Sequence, residues 1–387
     1  MTAKGSHASG SGSRRRRTHH KSKKGCTECK KRHIKCDEGW PQCANCISTL
    51  RSCSFQDLPD HRAGPATPTV HVKTGKLDAA PSKTGTGLRF AAIHLICLHH
   101  AETQMEKYMA LHCTARPIID LALDNVTTAP FLLDQVLALS ALHLSDQDAT
   151  KKTFYHQQAT ELQTRALELF NQAREGDSDD NTIPVFVFAS LLGIHVLRET
   201  FSSHRNDLSA FVDSFIHYVG LHRGVRAVIA NGSWPLILQS DLKPLLYLST
   251  LSDDLDTQTP GEDTQTLKKI LSEYDSGQES IQACQSALER VQWMLDLCNK
   301  NPSRDDIGIH ATMAWPLLVP KEYIEALHKH CPEALAVLAF YAAALHRYRT
   351  YWVFGDSGSS LLSAILNTIG SFWRGNLGTS FETMGIA

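Results

Sequence analysis

The residues best suited to chemistry in this 387-residue chain are six cysteines within 28 positions near its start. Their spacing is C-x2-C-x6-C-x6-C-x2-C-x6-C, and the last three follow the first three at a constant offset of 17 residues. The six are Cys26, Cys29, Cys36, Cys43, Cys46 and Cys53. Two identical C-x2-C-x6-C units predict a duplicated metal site with approximate two-fold symmetry.

Zinc is the metal that this ligand set favours, because Zn²⁺ prefers four thiolates in a tetrahedron. Two zinc ions need eight ligand positions, and six sulfurs fill them only if two sulfurs bridge the metals. We therefore predict two zinc ions per chain, with nearby Lys and Arg offsetting the negative charge of the cluster. Metal binding would supply the folding free energy of so small a module. The alternatives are one four-cysteine zinc site with two spare thiols, or a disulfide knot.

Only the first cysteine unit has a strongly basic insert. Between Cys29 and Cys36 the chain reads Lys30, Lys31, Arg32, His33, Ile34 and Lys35, whereas residues 47–52 contain a single Arg. We predict that the first insert is a short basic helix whose N-terminal half reaches base edges in the major groove of DNA. Lys and Arg donate there to guanine O6 and N7. The second insert would serve as scaffold and phosphate contact.

A basic arm precedes the cysteines. We expect it to contact DNA phosphates and to act as a nuclear import signal. Its cations are Arg14, Arg15, Arg16, Arg17, Lys21, Lys23 and Lys24. Residues 1–56 carry thirteen Lys or Arg against three acidic residues, and the remainder carries 26 against 37. The overall net charge of −1 thus hides a basic head, suited to a polyanion, on an acidic body.

Composition divides the chain into four parts. Residues 1–25 have almost nothing apolar and predict a disordered basic arm. A zinc-cluster DNA-binding domain follows at 26–56, and residues 57–88 are rich in Pro, Gly and Thr, as expected of a flexible linker without heptads. We assign 89–387 to a separate all-α regulatory domain.

Helical spacing of apolar residues supports the all-α assignment. Stripes with steps of three and four run through 155–169, 281–298 and 335–345, and no long segment alternates with period two. We expect about ten helices packed as one domain over roughly 89–380. The 281–298 stripe is either a dimer seam or a core-facing helix. Expected helix breaks include Pro130, Pro302, Pro316 and Pro320.

Residues 21–55 resemble the fungal binuclear zinc-cluster transcription factors. The resemblance implies that the first and fourth cysteines, Cys26 and Cys43, bridge the two metals. It also implies that Pro41 supports the turn of the loop between the two units. His33 stands where the family usually has a second consecutive Lys or Arg, so the common preference for CGG half-sites is not carried over.

The body resembles the regulatory domain of the sterol uptake control subgroup. The stretches that carry this resemblance are 137–144, 155–159 and 351–358, together with the Lys-Ser-Lys-Lys-Gly run before Cys26. The resemblance implies a ligand-responsive, often homodimeric domain with an apolar pocket that holds a sterol. Trp352, Phe354 and Trp373 either line such a pocket or belong to the core. No ligand-binding residue is assigned.

The sequence argues against an enzyme and leaves two other functions open. The chain has no G-x-S-x-G elbow, phosphate loop or H-E-x-x-H, so we expect no catalytic residue and no enzyme. One alternative is a regulator of a secondary-metabolite gene cluster without sterol sensing, and another is a zinc-dependent protein-interaction module. No signal peptide or membrane span is expected, since apolar runs such as 185–197 are short. We expect a nuclear protein, with cytoplasmic retention as a second location.

Overall fold

The structure is a computed structural model that describes residues 25–38, 43–47, 53–54, 91–174, 181–203, 207–227, 234–247, 259–273 and 278–383. The chain divides into two units, Met1–Gly85 and Thr86–Ala387. Within the described ranges the regular structure is helical and contains no strand. The predicted fold class, a small cysteine module followed by an all-α body, is confirmed. The linker predicted at 57–88 and the arm predicted at 1–25, except Gly25, lie outside the described residues.

The first unit contains two short helices, α1 (Thr27–Lys31) and α2 (Ala44–Ile47), each beginning directly after a cysteine. The described part of the body contains fourteen α-helices, more than the roughly ten expected, because short helices such as α9 carry too little pattern to be recognised. They are α3 (Ala92–Tyr108), α4 (Arg116–Asp124), α5 (Pro130–Gln147), α6 (Lys152–Arg174), α7 (Thr182–Ser203), α8 (Leu208–Ala227), α9 (Trp234–Gln239), α10 (Gln265–Glu273), α11 (Gln278–Lys300), α12 (Asp305–Leu318), α13 (Lys321–His328), α14 (Pro332–Arg347), α15 (Ser357–Thr368) and α16 (Ser371–Thr383). A 3₁₀ turn at Lys243–Leu245 follows α9.

Two helices, α5 and α14, form the centre of the body. Every residue of α14 from Ala334 to Leu345 is buried, and fourteen of the eighteen residues of α5 are buried. Helices α3, α6 and α7 pack on α5, while α11 and α15 pack on α14. The prediction that the 335–345 segment forms an amphipathic helix is therefore wrong. The residues between its stripe positions are also apolar, and such a helix must be enclosed on all sides.

The other two predicted stripes face the core. In α6 the buried residues are Tyr155, Ala159, Leu162, Ala166 and Phe170, so the stripe ends one residue later than expected. In α11 all six stripe positions between 281 and 298 are at most 9% exposed. Since they already pack inside one chain, this stripe is a core-facing helix. Homodimerisation through the body stays a prediction.

Three of the four expected proline breaks coincide with helix boundaries, including Pro302 between α11 and α12, and one does not. Pro130 is the first residue of α5 and Pro320 is the N-cap of α13, as suits a residue without an N–H group. Helix α12 instead continues through Pro316 to Leu318, so the break predicted there is wrong. Arg223 of α8 donates from Nη2 to the carbonyl oxygens of Pro316, at 3.1 Å, and Val319. This contact satisfies carbonyls at the end of α12.

Helix α7 is longer than the apolar run 185–197 on which the expectation of no membrane span rested. By length and composition alone it is apolar enough to cross a membrane, although half of its most apolar window is buried inside the body. It packs against α5 and α8. Buried central helices of helical domains have the same composition.

Candidate functional site

The six cysteine side chains of the first unit lie together and are shielded from solvent. Each is at most 2% exposed, and they form a cluster of their own. The Sγ atom of Cys26 lies 3.7 Å from those of both Cys43 and Cys46, and the Sγ atoms of Cys29 and Cys43 are 3.6 Å apart. A tetrahedron of sulfurs at about 2.3 Å from zinc has edges of about 3.8 Å. The residues present therefore fit zinc.

The sulfurs form overlapping groups rather than two separate sets. Cys26, Cys29, Cys43 and Cys46 place their Sγ atoms within 4.8 Å of one another, and Cys43 also lies within that distance of Cys36. The Sγ atom of Cys43 is thus close enough to both groups to be shared between two metals. Burial raises the pKa of Cys29, Cys43 and Cys46, so in a metal-free chain these thiols hold their protons. A divalent metal would supply the positive charge that stabilises them as thiolates.

Helix α1 is held at both ends by local hydrogen bonds. Cys26 is its N-cap, and the Sγ atom of Cys26 accepts from the backbone N–H of Cys29 at 3.4 Å. At the other end His33 has φ 55°, and the N–H of Ile34 donates to the carbonyl of Cys29 at 3.1 Å. This left-handed residue terminates the helix. The predicted basic helix is thus only partly correct, because Lys30 and Lys31 alone of the insert are helical.

Two residues that the sequence did not single out connect the second cysteine unit to the first. Ser54 accepts from the N–H of Thr27 through its Oγ atom at 2.9 Å, which satisfies an otherwise unpaired donor in the first turn of α1. Asn45 of α2 donates from Nδ2 to the carbonyl of Lys35 at 2.8 Å. Both bonds fix the basic insert relative to the cysteines. Ser and Asn are common turn and cap residues, so their types alone gave no signal.

The basic insert forms a positive surface beside the cysteine cluster. Lys30, Lys31, His33 and Lys35 are exposed and Arg32 is half-buried. The predicted phosphate contacts of the arm, at Arg14, Arg15, Arg16, Arg17, Lys23 and Lys24, lie outside the described residues. The acidic residues of the first unit within the described ranges are Glu28, Asp37 and Glu38.

Comparison with known proteins agrees with this geometry. Residues 24–62 match the family model of the fungal Zn(2)-Cys(6) binuclear cluster domain. The chain carries a fungal binuclear zinc-cluster domain. Its six cysteines bind two zinc ions, as the spacing predicted.

The likeness extends well beyond the zinc-cluster domain. A Zn(2)-C6 fungal-type transcription factor of Gibberella zeae is 23% identical over 88% of this chain and 80% of its own. The Zn(2)-C6 fungal-type transcription factor afumD of Aspergillus fumigatus is 24% identical over 87% of each chain. These relatives are named as transcription factors and not as enzymes, and they imply DNA-binding regulation of transcription in the nucleus.

The sterol uptake resemblance has narrower support. Sterol uptake control protein 2 of Saccharomyces cerevisiae is 40% identical over 67 residues, which are 17% of this chain and 7% of that protein. A match of that length is too short to include the helical body. This short match therefore does not bear on whether the helical body binds a sterol.

The helical body contains a cavity of about 640 Å³ between α7, α8, α12 and the segment 234–247. Among the residues that the structure describes, no Asp, Glu, Lys or Arg side chain lines it. Much of the wall is aliphatic or aromatic, for example Ile194, Leu197, Trp234, Leu246, Met313 and Leu317. Trp352, Phe354 and Trp373 do not line it, and each is at most 9% exposed. Those three aromatic residues are core residues.

A few polar side chains reach the cavity wall. They are Ser190, Tyr218, His222 and His310. His310 donates from Nε2 to the carbonyl of Met109 at 2.9 Å, and its Nδ1 lies 2.9 Å from the hydroxyl of Tyr247. Burial lowers the pKa of His310, so its ring is neutral near pH 7. The lining residues come from distant parts of the sequence, which is why no local pattern identified them.

Proposed function

We propose that the chain is a zinc-dependent, sequence-specific transcription factor that regulates transcription by RNA polymerase II. The observation that supports this most directly is the exposed row of Lys30, Lys31 and Lys35 beside a buried six-cysteine cluster. Cations fixed on a rigid metal module complement DNA phosphates and guanine edges. The second cysteine unit has no comparable basic insert, so the two units would have different roles.

The proposed roles separate base contacts from phosphate contacts. Lys30 and Lys31 at the end of α1, with Arg32, His33 and Lys35 just after it, would face the major groove. Arg14–Arg17 with Lys23 and Lys24 would contact phosphates and fix the register. Cys26 and Cys43 would bridge the metals. For Cys43 this is supported by its Sγ atom, which lies within 4.8 Å of the sulfurs of Cys26, Cys29 and Cys46 and also of the sulfur of Cys36.

Selection of bound sequences from random duplex DNA tests this function. The full chain should enrich a motif with zinc present and none after chelation. Lys31→Ala should weaken or change the motif, whereas Lys321→Ala, on an exposed body lysine, should leave it unchanged. Failure of the zinc-loaded chain to enrich any sequence would favour the protein-interaction module instead.

A second comparison separates the two kinds of contact. Arg32→Ala should change which bases are selected, because a base contact is lost. Arg15→Ala should weaken binding to all sequences alike and flatten the salt dependence by about one unit of slope. The measurement is the dissociation constant for matched and mismatched duplexes over a salt series. Equal loss of base preference from both variants would contradict the assignment.

We further infer that the body is a regulatory domain that binds a neutral, mainly apolar small molecule, of which a sterol is one class. The cavity of about 640 Å³ lies within the roughly 300–1,000 Å³ typical of small-molecule sites. The described part of its wall has no charged side chain to pair with an ionised ligand, and burying an unpaired charge is costly. A few polar groups among apolar ones would orient a single hydroxyl or carbonyl.

Titration of the purified full chain tests this second function. A fluorescent sterol should bind saturably, while a fatty acid of similar length, carrying a carboxylate, should bind far more weakly. Mass analysis of molecules extracted from the purified protein would distinguish a sterol from another neutral apolar metabolite. Absence of saturable binding by any neutral apolar probe would refute the ligand site.

A further inference from the structure

Gly193 of α7 and His222 of α8 make an unusually close contact at the cavity wall. A Cβ atom added at Gly193 would lie 2.4 Å from Cε1, 2.7 Å from Nδ1 and 2.8 Å from Nε2 of His222. Since real Cβ atoms essentially never approach that closely, the imidazole ring occupies the place where any other residue at position 193 has its side chain. Both residues line the cavity.

The surroundings of His222 determine where its ring would go if position 193 carried a Cβ. Tyr218, one turn earlier on α8, is 1% exposed, and its hydroxyl lies 3.4 Å from Nδ1 of His222. Packed protein therefore limits movement of the ring toward Tyr218, and α7 blocks movement toward Gly193. Among the described residues, the space left open beside the ring is the cavity of about 640 Å³. A displaced ring would enter that space and narrow it.

We propose that Gly193 is a specificity-determining residue, which sets the width of the cavity by letting His222 lie against the backbone of α7. This inference rests on the proposed ligand-binding function of the body. With glycine at 193, the cavity is wide enough for rigid, fused-ring neutral molecules. With a larger residue it would accept only slender, flexible molecules. The selective element is the steric bulk of the ring.

Two probes of different width test the proposal on the full chain: dehydroergosterol, which is rigid and fluorescent, and dodecanol, which is neutral and slender. Gly193→Ala should weaken sterol binding by about tenfold or more, and dodecanol binding should change by less than about threefold. Gly220→Ala is the matched control, because a Cβ at Gly220, also helical, meets nothing within 4 Å. It should bind both probes like the original chain.

The double variant Gly193→Ala/His222→Ala identifies the cause. It keeps the added methyl group and removes the ring, so sterol binding should recover to within about threefold of the original chain. The proposal would be overturned if the double variant did not recover sterol binding, or if Gly193→Ala weakened binding of both probes equally. If Gly193→Ala does not fold, His222→Trp adds bulk from the α8 side and should show the same selective loss of sterol. If the original chain binds neither probe, the ligand-binding function itself fails, which is a different outcome.

Discussion

At the scale of single residues, His33 combines a backbone role with a chemical one. Its φ of 55° is a conformation that Asn, Asp and His adopt more readily than most residues and that β-branched residues avoid. Lys30, Lys31 and Arg32 precede it, and the chain turns at His33 away from the helix. This explains why a residue other than a second Lys or Arg is suited to that position.

Substitution of His33 separates these roles. His33→Asn preserves the turn, so affinity for DNA should stay within about threefold and any change should concern base preference. His33→Val strains the left-handed position and should weaken binding to every sequence by about tenfold or more. Dissociation constants for several duplexes, measured with zinc present, check both outcomes. Identical behaviour of the Asn and Val variants would show that the turn is unimportant.

His143 is the residue that should make the body sensitive to acid. Burial lowers the pKa of His143 to about 4, and the nearby His100, Lys107 and Arg198 act in the same direction. Its ring lies between Tyr108, which is tilted by 35°, and Trp352, which it meets edge-on, at centroid distances of 4.8 and 5.0 Å. The unfolded chain takes up a proton near pH 6.5 and the folded chain does not. Stability contributed by the neutral ring is therefore complete above pH 6.5 and lost as the pH falls toward 4.

The expected loss is up to about 3 kcal/mol of unfolding free energy from this one residue. His143→Phe keeps an aromatic ring between Tyr108 and Trp352 and removes the group that takes up a proton. The unfolding free energy of this variant should therefore fall less between pH 7 and pH 5 than that of the original chain. His217→Phe, at an exposed position of α8, should retain the original pH dependence. Urea unfolding at several pH values gives the comparison. The same pH slope in the original chain and in His143→Phe would exclude His143 as the source.

At the scale of helices, the sequence predicted those whose pattern is strong and local. The α6 stripe from Tyr155 to Ala166 and the α11 stripe both face the core as expected. It failed for α12, which continues through Pro316 to Leu318. Arg223, more than ninety residues away in the chain, binds carbonyls at the end of this helix, a long-range contact that no local pattern shows. The cysteine cluster could be predicted from the sequence because its ligands lie within 28 positions. The cavity could not be predicted, because its wall combines residues of α7, α8 and α12, which are far apart in the sequence.

Arg223 should stabilise the end of α12. Its guanidinium donates to the carbonyls of Pro316 and Val319, and a cation is favourable at a helix C-terminus. Arg223→Met leaves buried carbonyls without that donor and should cost about 1–3 kcal/mol of unfolding free energy. Arg290→Met, at an exposed position of α11, should cost less than about 0.5 kcal/mol. Urea unfolding checks both variants, and equal effects would deny Arg223 this role.

At the scale of the whole molecule, two units depend on different physics. The body contains one extended hydrophobic core, and none of the six zinc-ligand cysteines belongs to it. Among its described residues the first unit buries little besides those cysteines, so we expect its folding free energy to come from the metal. Charge follows the same division, with thirteen Lys or Arg against three acidic residues in 1–56 and an acidic remainder.

Removal of zinc should therefore act on one unit and spare the other. Treatment of the full chain with a strong chelator should abolish specific DNA binding, because without the metal the cysteines lose the bonds that hold α1 and the basic insert in place. The far-UV circular dichroism of the chain should change little, since fourteen of the sixteen described helices belong to the body. Its thermal unfolding should also remain cooperative at a similar temperature.

Return of two equivalents of zinc should restore DNA binding. A large loss of helix on chelation would mean that the body needs the metal as well, and retained binding to specific DNA would mean that the cysteine cluster is not what holds Lys30 and Lys31 in place.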